Sequence, residues 1–200
     1  MPCSKDEFYN RDRCLIAAFP TNDDLTLVEA FPNRDFRGRR GDLEAHYFRL
    51  LTQVPELRER VRGGRREARF MGTTGLPGVF RRSSGPGWAL AGDAGYHKHP
   101  VTAQGISDAF RDADELAAAI DAGLSGVRPL EHSLADYARR RDESVMPMYE
   151  LTCELATLEP PSLEMQQRFA AMRGDQAAIS RFLGALAGSV GIADFFSSHT

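Results

Sequence analysis

The sequence predicts a mixed α+β fold on three observations: a β-hairpin pattern near the start, a short strand entering a helix through a glycine-rich turn, and helical periodicity over most of the second half. The hairpin comes from two apolar runs, residues 14–19 and 25–31, on either side of the polar turn at 21–24. A lone hairpin is marginal in water, so these strands need sheet partners. No other obvious sheet-forming run lies in the first half, which leads to the expectation that an upstream portion is missing.

After a basic loop from Arg34 to Arg40, Asp42 can cap a helix carrying Leu43, Tyr47, Leu50, Leu51 and Val54 at helical spacing. Pro55 interrupts that helix and opens a shorter one over 55–61. Residues 62–87, rich in Gly, Arg and Ser, read as loop, with turns at 73–78 and 83–87. Trp88-Ala-Leu-Ala91 reads as a short strand running into Gly92-Asp93-Ala94-Gly95.

Helical pattern resumes after Pro100, from near Thr102 to Gly123 or Gly126. Ile106, Ala109, Phe110, Ala113, Leu116, Ala117 and Ile120 share one face, and Asp108, Arg111, Asp112 and Glu115 the other. A long helix is predicted over 131–158 with a kink or break at Pro147, and two more over 162–172 and 175–186, parted by Gly174. This divides the chain into residues 1–87 (hairpin, helix and loops), 88–126 (strand, loop and helix) and a helical 127–200.

Composition narrows the function classes. Lys+Arg 25 against Asp+Glu 28 gives a net charge of -3, which offers no strong attraction for nucleic acid or an anionic membrane. Cys3, Cys14 and Cys153 are too scattered for a disulfide framework or a zinc site, so a reducing cytoplasm is the expected compartment. No signal-peptide core and no run of about eighteen apolar residues is present, so neither export nor a membrane span is expected.

Chemistry concentrates at 92–106. Gly92 and Gly95 let the backbone approach a ligand, and Asp93 offers a carboxylate that can accept from sugar hydroxyls. Pro100 rigidifies a loop leading to a helix start, where free amides and the positive end of the dipole favour negative charge. Gly105 clears a side chain from the first turn.

The run Gly92-Asp-Ala-Gly-Tyr-His-Lys-His-Pro100-Val-Thr-Ala-Gln-Gly105-Ile-Ser-Asp108-Ala109 resembles the second flavin motif of the para-hydroxybenzoate hydroxylase-type FAD-dependent monooxygenases. The resemblance implies a partial flavoprotein fold, with the hairpin drawn from a substrate-covering sheet, and FAD as cofactor. It places Asp93 at the ribityl chain with Gly92 and Ala94 as further cofactor-binding residues, Pro100 beside the flavin ring, and the backbone of Gly105 and Ile106 at its pyrimidine edge. NADH or NADPH would be the transient reductant, and the substrate a small apolar or aromatic compound. Thr102 and Ser107 depart from the pattern, standing where many members have glycine and asparagine. The G-x-G-x-x-G turn that binds the ADP half is not in this sequence, nor is the later D-G motif.

His97 and His99 flank Lys98 on the loop to Pro100 and are weak catalytic candidates; a third ligand at sensible spacing is lacking, so no metal is expected. Arg34–40 and Arg58–66 could meet NADPH phosphates, although a solvated face is the plainer reading. A halogenase or prenyl-chain reductase shares the G-D motif. A non-catalytic truncated remnant, or a fragment that depends on a partner, a homodimer or a missing N-terminal half, is the alternative of a different class.

Overall fold

A computed structural model describes residues 5–32, 42–73, 77–192 and 195 of the chain. The basic loop Arg34–Arg40, Cys3 and part of the turn at 73–78 lie outside the described residues. The chain forms two compact units, one of residues 1–76 with 156–160 and one of 77–155 with 161–200.

The first unit is built on a three-stranded antiparallel sheet, β1 (Glu7–Arg11), β2 (Cys14–Pro20) and β3 (Thr26–Pro32), in that order. The predicted hairpin is β2 and β3, joined through a 3-10 turn at Asn22–Asp24. β1 was not expected from the sequence pattern. Its turn into β2 uses Asp12 and Arg13, both left-handed at φ 44° and 57°, in place of the Asn-Gly or Asp-Gly pair that normally marks such a hairpin. Polar neighbours on both sides of Phe8 and Tyr9 also hide the alternation of an edge strand.

One face of the sheet packs on helices. Cys14, Ile16 and Ala18 of β2 form a core with Leu51, Val54 and Leu57, ringed by Tyr9, Val28, Ala30, Tyr47, Phe48, Leu50 and Val61. The residues after β3 supply these through α1 (Leu43–Leu50), a 3-10 turn Leu51–Gln53, and α2 (Pro55–Gly63). Asp42 caps α1 by accepting from the Ala45 amide at 2.8 Å, as its position predicts. Pro55 opens α2 at its first position, where the missing N–H costs nothing. Fully burying side chains such as Leu51 and Leu57 stabilises this unit by roughly 1.5–3 kcal/mol each.

In the second unit four two-residue strands precede the helices. β4 (Val79–Phe80) pairs with β7 (Tyr96–His97), and β5 (Ser84–Gly85) with β6 (Trp88–Ala89). The expected strand 88–91 is therefore shorter, because its partner β5 ends at two residues; one further bond, from the Leu90 amide to the Ser83 carbonyl at 2.7 Å, extends the pairing. The four helices are α3 (Gly105–Leu124), α4 (Leu130–Leu155), α5 (Leu163–Ala171) and α6 (Gln176–Leu186). Among the described residues no helix is long and apolar enough to cross a membrane.

α3 begins later than its periodicity suggests, since Pro100–Thr102 forms a separate 3-10 turn and Ala103 turns left-handed at φ 52°. α4 runs unbroken through Pro147. Proline there forfeits one ladder bond, and buried Val145 and Met148 on either side hold the helix in line. Ser162 and Asp175 cap α5 and α6, whose ends gather on Met172, Ala185 and Phe195.

The orientation of α3 inverts the ordinary amphipathic rule. Asp108 and Asp112 are only 4% and 1% exposed, whereas Ile106, Phe110 and Leu124 are 75%, 73% and 75% exposed. The acidic face turns inward because it meets partners there, namely Lys98, Arg111 and a loop amide.

Candidate functional site

The Gly92–Gly95 turn is held from every side but one. Asp112 Oδ2 accepts the buried Gly92 amide at 2.9 Å. The Tyr137 hydroxyl donates to the Leu90 carbonyl at 2.7 Å, fixing the segment that enters the turn. Arg81 grips the far end twice, its backbone amide donating to the Gly95 carbonyl at 2.8 Å and its side chain to the Ala94 carbonyl at 2.9 Å. Gly92 itself sits at φ +55°, and a Cβ there would come within 3.0 Å of the Ala109 Cβ, so glycine is required twice over.

Beneath the turn lies Arg141 of α4, fully buried. Its guanidinium stands 5.1 Å from the ring centres of both Phe80 and Tyr96, which are themselves in contact at 5.7 Å, so one cation meets a pair of adjoining rings. It also donates to Asp142 Oδ1 at 3.0 Å and to the Arg81 carbonyl at 3.2 Å. A Cβ on Gly95 would lie 2.2 Å from Arg141 Nη1, so the glycine is what admits this cation.

A second charge group buttresses the loop to Pro100. Buried Lys98 pairs with Asp108, and Arg111 donates to Asp108 Oδ1 at 2.8 Å and to the Tyr96 hydroxyl at 2.9 Å. Burial and then the Asp108 charge push the Tyr96 phenol well above its ordinary range, so it stays neutral and accepts from Arg111. Burial likewise raises the Asp112 carboxyl, partly offset by the Gly92 amide and the neighbouring Arg111 and Arg141. These are linked polar groups placed by α3 and α4 under one short loop.

Asp93, by contrast, is presented outward and has no hydrogen-bond or ionic partner among the described residues. Its carboxylate lies close to the start of α3: a Cβ on Gly105 would be 3.8 Å from Asp93 Oδ1 and would meet nothing else within 4 Å. Gln104, at the N-cap of α3, makes no side-chain cap, and its amide instead donates to the Leu186 carbonyl. The first-turn amides of a 20-residue helix thus stay uncapped beside an unpaired carboxylate and an exposed glycine.

Of the residues predicted from sequence, the structure brings together Gly92, Asp93, Ala94, Gly105 and Ile106 at this corner, with Pro100 exposed on the 3-10 turn leading to it. His97 and His99 are placed otherwise. His97 Nδ1 is 3.0 Å from the Pro77 carbonyl, and His99 Nδ1 accepts the Val101 amide at 3.2 Å, which makes His99 the cap of that turn. Burial, with His97 nearby, lowers the His99 pKa and keeps the accepting nitrogen unprotonated. Both are half-buried. Thr102 is buried and bonds Thr152 of α4 at 2.9 Å, so a hydroxyl ties the turn to α4. Among the described residues no cluster of His, Cys, Asp or Glu could hold a metal. The arginines of 58–66 are largely engaged within their unit, Arg60 with Glu7, Arg66 with Glu44 and Arg65 with Glu67.

The residues fit a flavin. An outward carboxylate can take the hydroxyls of a ribityl chain, and uncapped helix amides can face an electron-rich ring edge. Asp112, Tyr137, Arg81 and Arg141, which position that carboxylate, escaped sequence reading. The one available signal was the second Asp-Ala pair, Asp112-Ala113, one helical turn beyond the first.

No protein-family model matches the chain, and no curated protein matches it. Two solved structures of one bacterial protein do. The chain is similar to PqsL of Pseudomonas aeruginosa, described as a probable FAD-dependent monooxygenase, at TM-score 0.63 and 29% identity over 85% of this chain and 47% of that one. It is similar also to PqsL in complex with 2-aminobenzoylacetate, at TM-score 0.63 and 30% identity over 83% of this chain and 46% of that one. The chain thus spans less than half the length of the flavoprotein it matches, and over that span its mixed α/β architecture is consistent with a flavin monooxygenase fold.

Proposed function

We propose that this chain is the C-terminal portion of an FAD-dependent oxidoreductase, and within that kind an NAD(P)H-dependent monooxygenase that hydroxylates a small apolar or aromatic compound. Residues 1–87 then belong to a substrate-covering part, 88–126 to the second FAD motif and 127–200 to a helical C-terminal region. The observation that carries this reading is the isolated carboxylate of Asp93 beside the uncapped start of α3. The similarity to PqsL supports it, and the aromatic compound bound in one of those structures supports the substrate class.

In this reading the cofactor supplies the redox chemistry and the oxygen-transferring group, and the protein binds and orients. Asp93 takes the ribityl hydroxyls, with Gly92 and Ala94 holding the backbone beside it. The amides of Gly105 and Ile106 meet the ring edge where negative charge gathers, and Pro100 borders the ring. Arg141, Asp112 and Tyr137 keep the turn from moving when the ligand binds. An ADP-binding G-x-G-x-x-G segment completes the site, in the same polypeptide or in a second chain.

Equilibrium dialysis against FAD tests the assignment in the form that holds that segment: Asp93→Ala should weaken FAD binding at least tenfold, and Asp93→Asn less. Unchanged affinity in Asp93→Ala removes the assignment. The 200-residue chain alone should retain little FAD, and a stoichiometric yellow complex contradicts that.

A second reading, a fragment that depends on a partner, is favoured by the exposed apolar stripe of α3. Sedimentation of the chain at rising concentration separates the two: a monomer throughout argues against this second reading.

A further inference from the structure

The start of α3 and the end of α6 meet through one side chain. Gln104, the residue before Gly105, sends its side-chain amide to the Leu186 carbonyl, within the same compact unit of the chain. Leu186 closes α6, where the last carbonyls have no partner inside the helix. The rest of that helix end is finished by its own chain. The Ala187 amide returns to the Leu183 carbonyl at 2.8 Å, Gly188 turns left-handed at φ 77°, and the Ser189 and Val190 amides converge on the Gly184 carbonyl at 2.9 and 3.1 Å. Gln104 thus serves the far helix and not its own.

With its nitrogen on Leu186, Gln104 turns Oε1 toward Gly188, where a Cβ would stand 3.7 Å away. That oxygen makes no cap on α3. A glutamine side chain is long enough to fold back over the first turn and accept from the Ile106 or Ser107 amide, which would use up the donors left free at a helix start. The Asp108 amide is already taken by the Gln104 carbonyl at 2.9 Å, so Gly105, Ile106 and Ser107 carry the donors at stake. Helix α6 is seated on a cluster of its own, built on Met172, Ala185 and Phe195. Its hold on Gln104 therefore comes from outside α3.

We propose that α6 keeps the flavin corner open: the Leu186 carbonyl holds the Gln104 side chain away from α3, and the first-turn amides stay free for the electron-rich edge of the ligand ring. Gln104 is then a positioning residue, and the end of the C-terminal helix prepares a site it does not enter. The proposal rests on the preceding reading of the corner as a flavin site and adds a control to it. A chain whose α6 lets go closes its own amides.

FMN is the probe, because it carries the ring and ribityl chain without the ADP half. It is titrated into the isotopically labelled 200-residue chain and followed by backbone amide shifts, which should centre on residues 92–95 and 104–107. Gln104→Ser removes the tie to Leu186 and installs a strong cap, and should weaken FMN about fivefold. Gln104→Ala removes the same tie and installs no cap, and should stay within about twofold of the parent. Ala187→Pro keeps Gln104 but drives Leu186 out of the helical region and turns its carbonyl aside, so it should weaken FMN about as much as the serine variant. Adding Gln104→Ala to Ala187→Pro should restore the affinity to within about twofold of the parent. Without ligand, the Ile106 or Ser107 amide should exchange with solvent more slowly in Gln104→Ser and Ala187→Pro than in the parent.

Equal affinities of the serine and alanine variants, an unaltered affinity in Ala187→Pro, a loss in Ala187→Pro that Gln104→Ala does not repair, or no FMN shifts at the corner each overturn the proposal. The flavin reading fails separately, through unchanged FAD affinity in Asp93→Ala. FMN bound at the corner with no dependence on Gln104 removes the control and leaves that reading in place.

Discussion

Asp112 of α3 accepts the backbone amide of Gly92 at 2.9 Å, both groups buried, and so carries the fixed end of the turn whose next residue is Asp93. Removing the acceptor leaves a buried amide unpaired. Asp112→Ala should cost about 1–3 kcal/mol in urea unfolding, and under the proposed function FAD affinity should fall as the turn loosens. Asp112→Asn keeps an oxygen for Gly92 and should cost less. Burial holds the Asp112 carboxyl above its ordinary range, so its contribution is greatest at low pH and declines as pH rises through the raised value. The asparagine variant should therefore compare best with the parent at neutral pH.

Gly95→Ala should be severe for a different reason. The new methyl would sit 2.2 Å from Arg141 Nη1, and the guanidinium, fully buried and bonded to Asp142 and the Arg81 carbonyl, has little room to swing aside. Overpacking of this kind costs about 1–3 kcal/mol. In an Arg141→Met background the same substitution should cost less than half as much, which a double-mutant cycle by chemical denaturation measures.

Thr102 and Thr152 share a buried hydroxyl pair at 2.9 Å, and Thr152 also donates to the Met148 carbonyl at 2.6 Å. Thr152→Val strands the Thr102 hydroxyl and should lower stability by about 1 kcal/mol, whereas Thr102→Val leaves Thr152 donating to Met148 and should cost less. The double change replaces both with hydrocarbon of the same shape. Its cost should be smaller than the sum of the singles, and a fully additive result would show that the pair is not coupled.

Glu29 predicts a gain. Its carboxyl titrates above the ordinary glutamate range because burial disfavours the charge, so the folded chain holds the proton more tightly than the unfolded one. Stability from this group is then present below the unfolded pKa and lost as pH rises through the folded value. Glu29→Leu should raise Tm at pH 7, with the gain shrinking below about pH 4. A lower Tm at neutral pH would reveal a partner for Glu29 that the described residues do not show.

Much of this was legible in the sequence, and the losses have physical causes. Spacing located β2, β3 and all six α-helices of the described residues, since Asp42, Pro55, Ser162, Gly174 and Asp175 stand at ends where capping and φ requirements are local. The strand β1 escaped because Asp12 and Arg13 make its turn without glycine. The Gly92-Asp-Ala-Gly run announced the corner, and Asp93 and Gly105 do meet there. What holds the corner was hidden. Arg141, Tyr137 and Asp112 come from helices far along the chain, and periodicity alone assigns Asp112 to a polar face without saying that this face is the inner one.

Trp88 is the chain's single tryptophan and lies in β6, on the hairpin that delivers the Gly92 turn. Its indole covers Gly85 so closely that a Cβ there would fall 2.6 Å from the ring. Excited selectively, its emission therefore reports on its own unit, residues 77–155 with 161–200, while the chromophores of the sheet unit are tyrosines and phenylalanines. One optical signal can follow the melting of the loop scaffold while backbone ellipticity follows both units. Two midpoints that fail to coincide would give each unit its own stability.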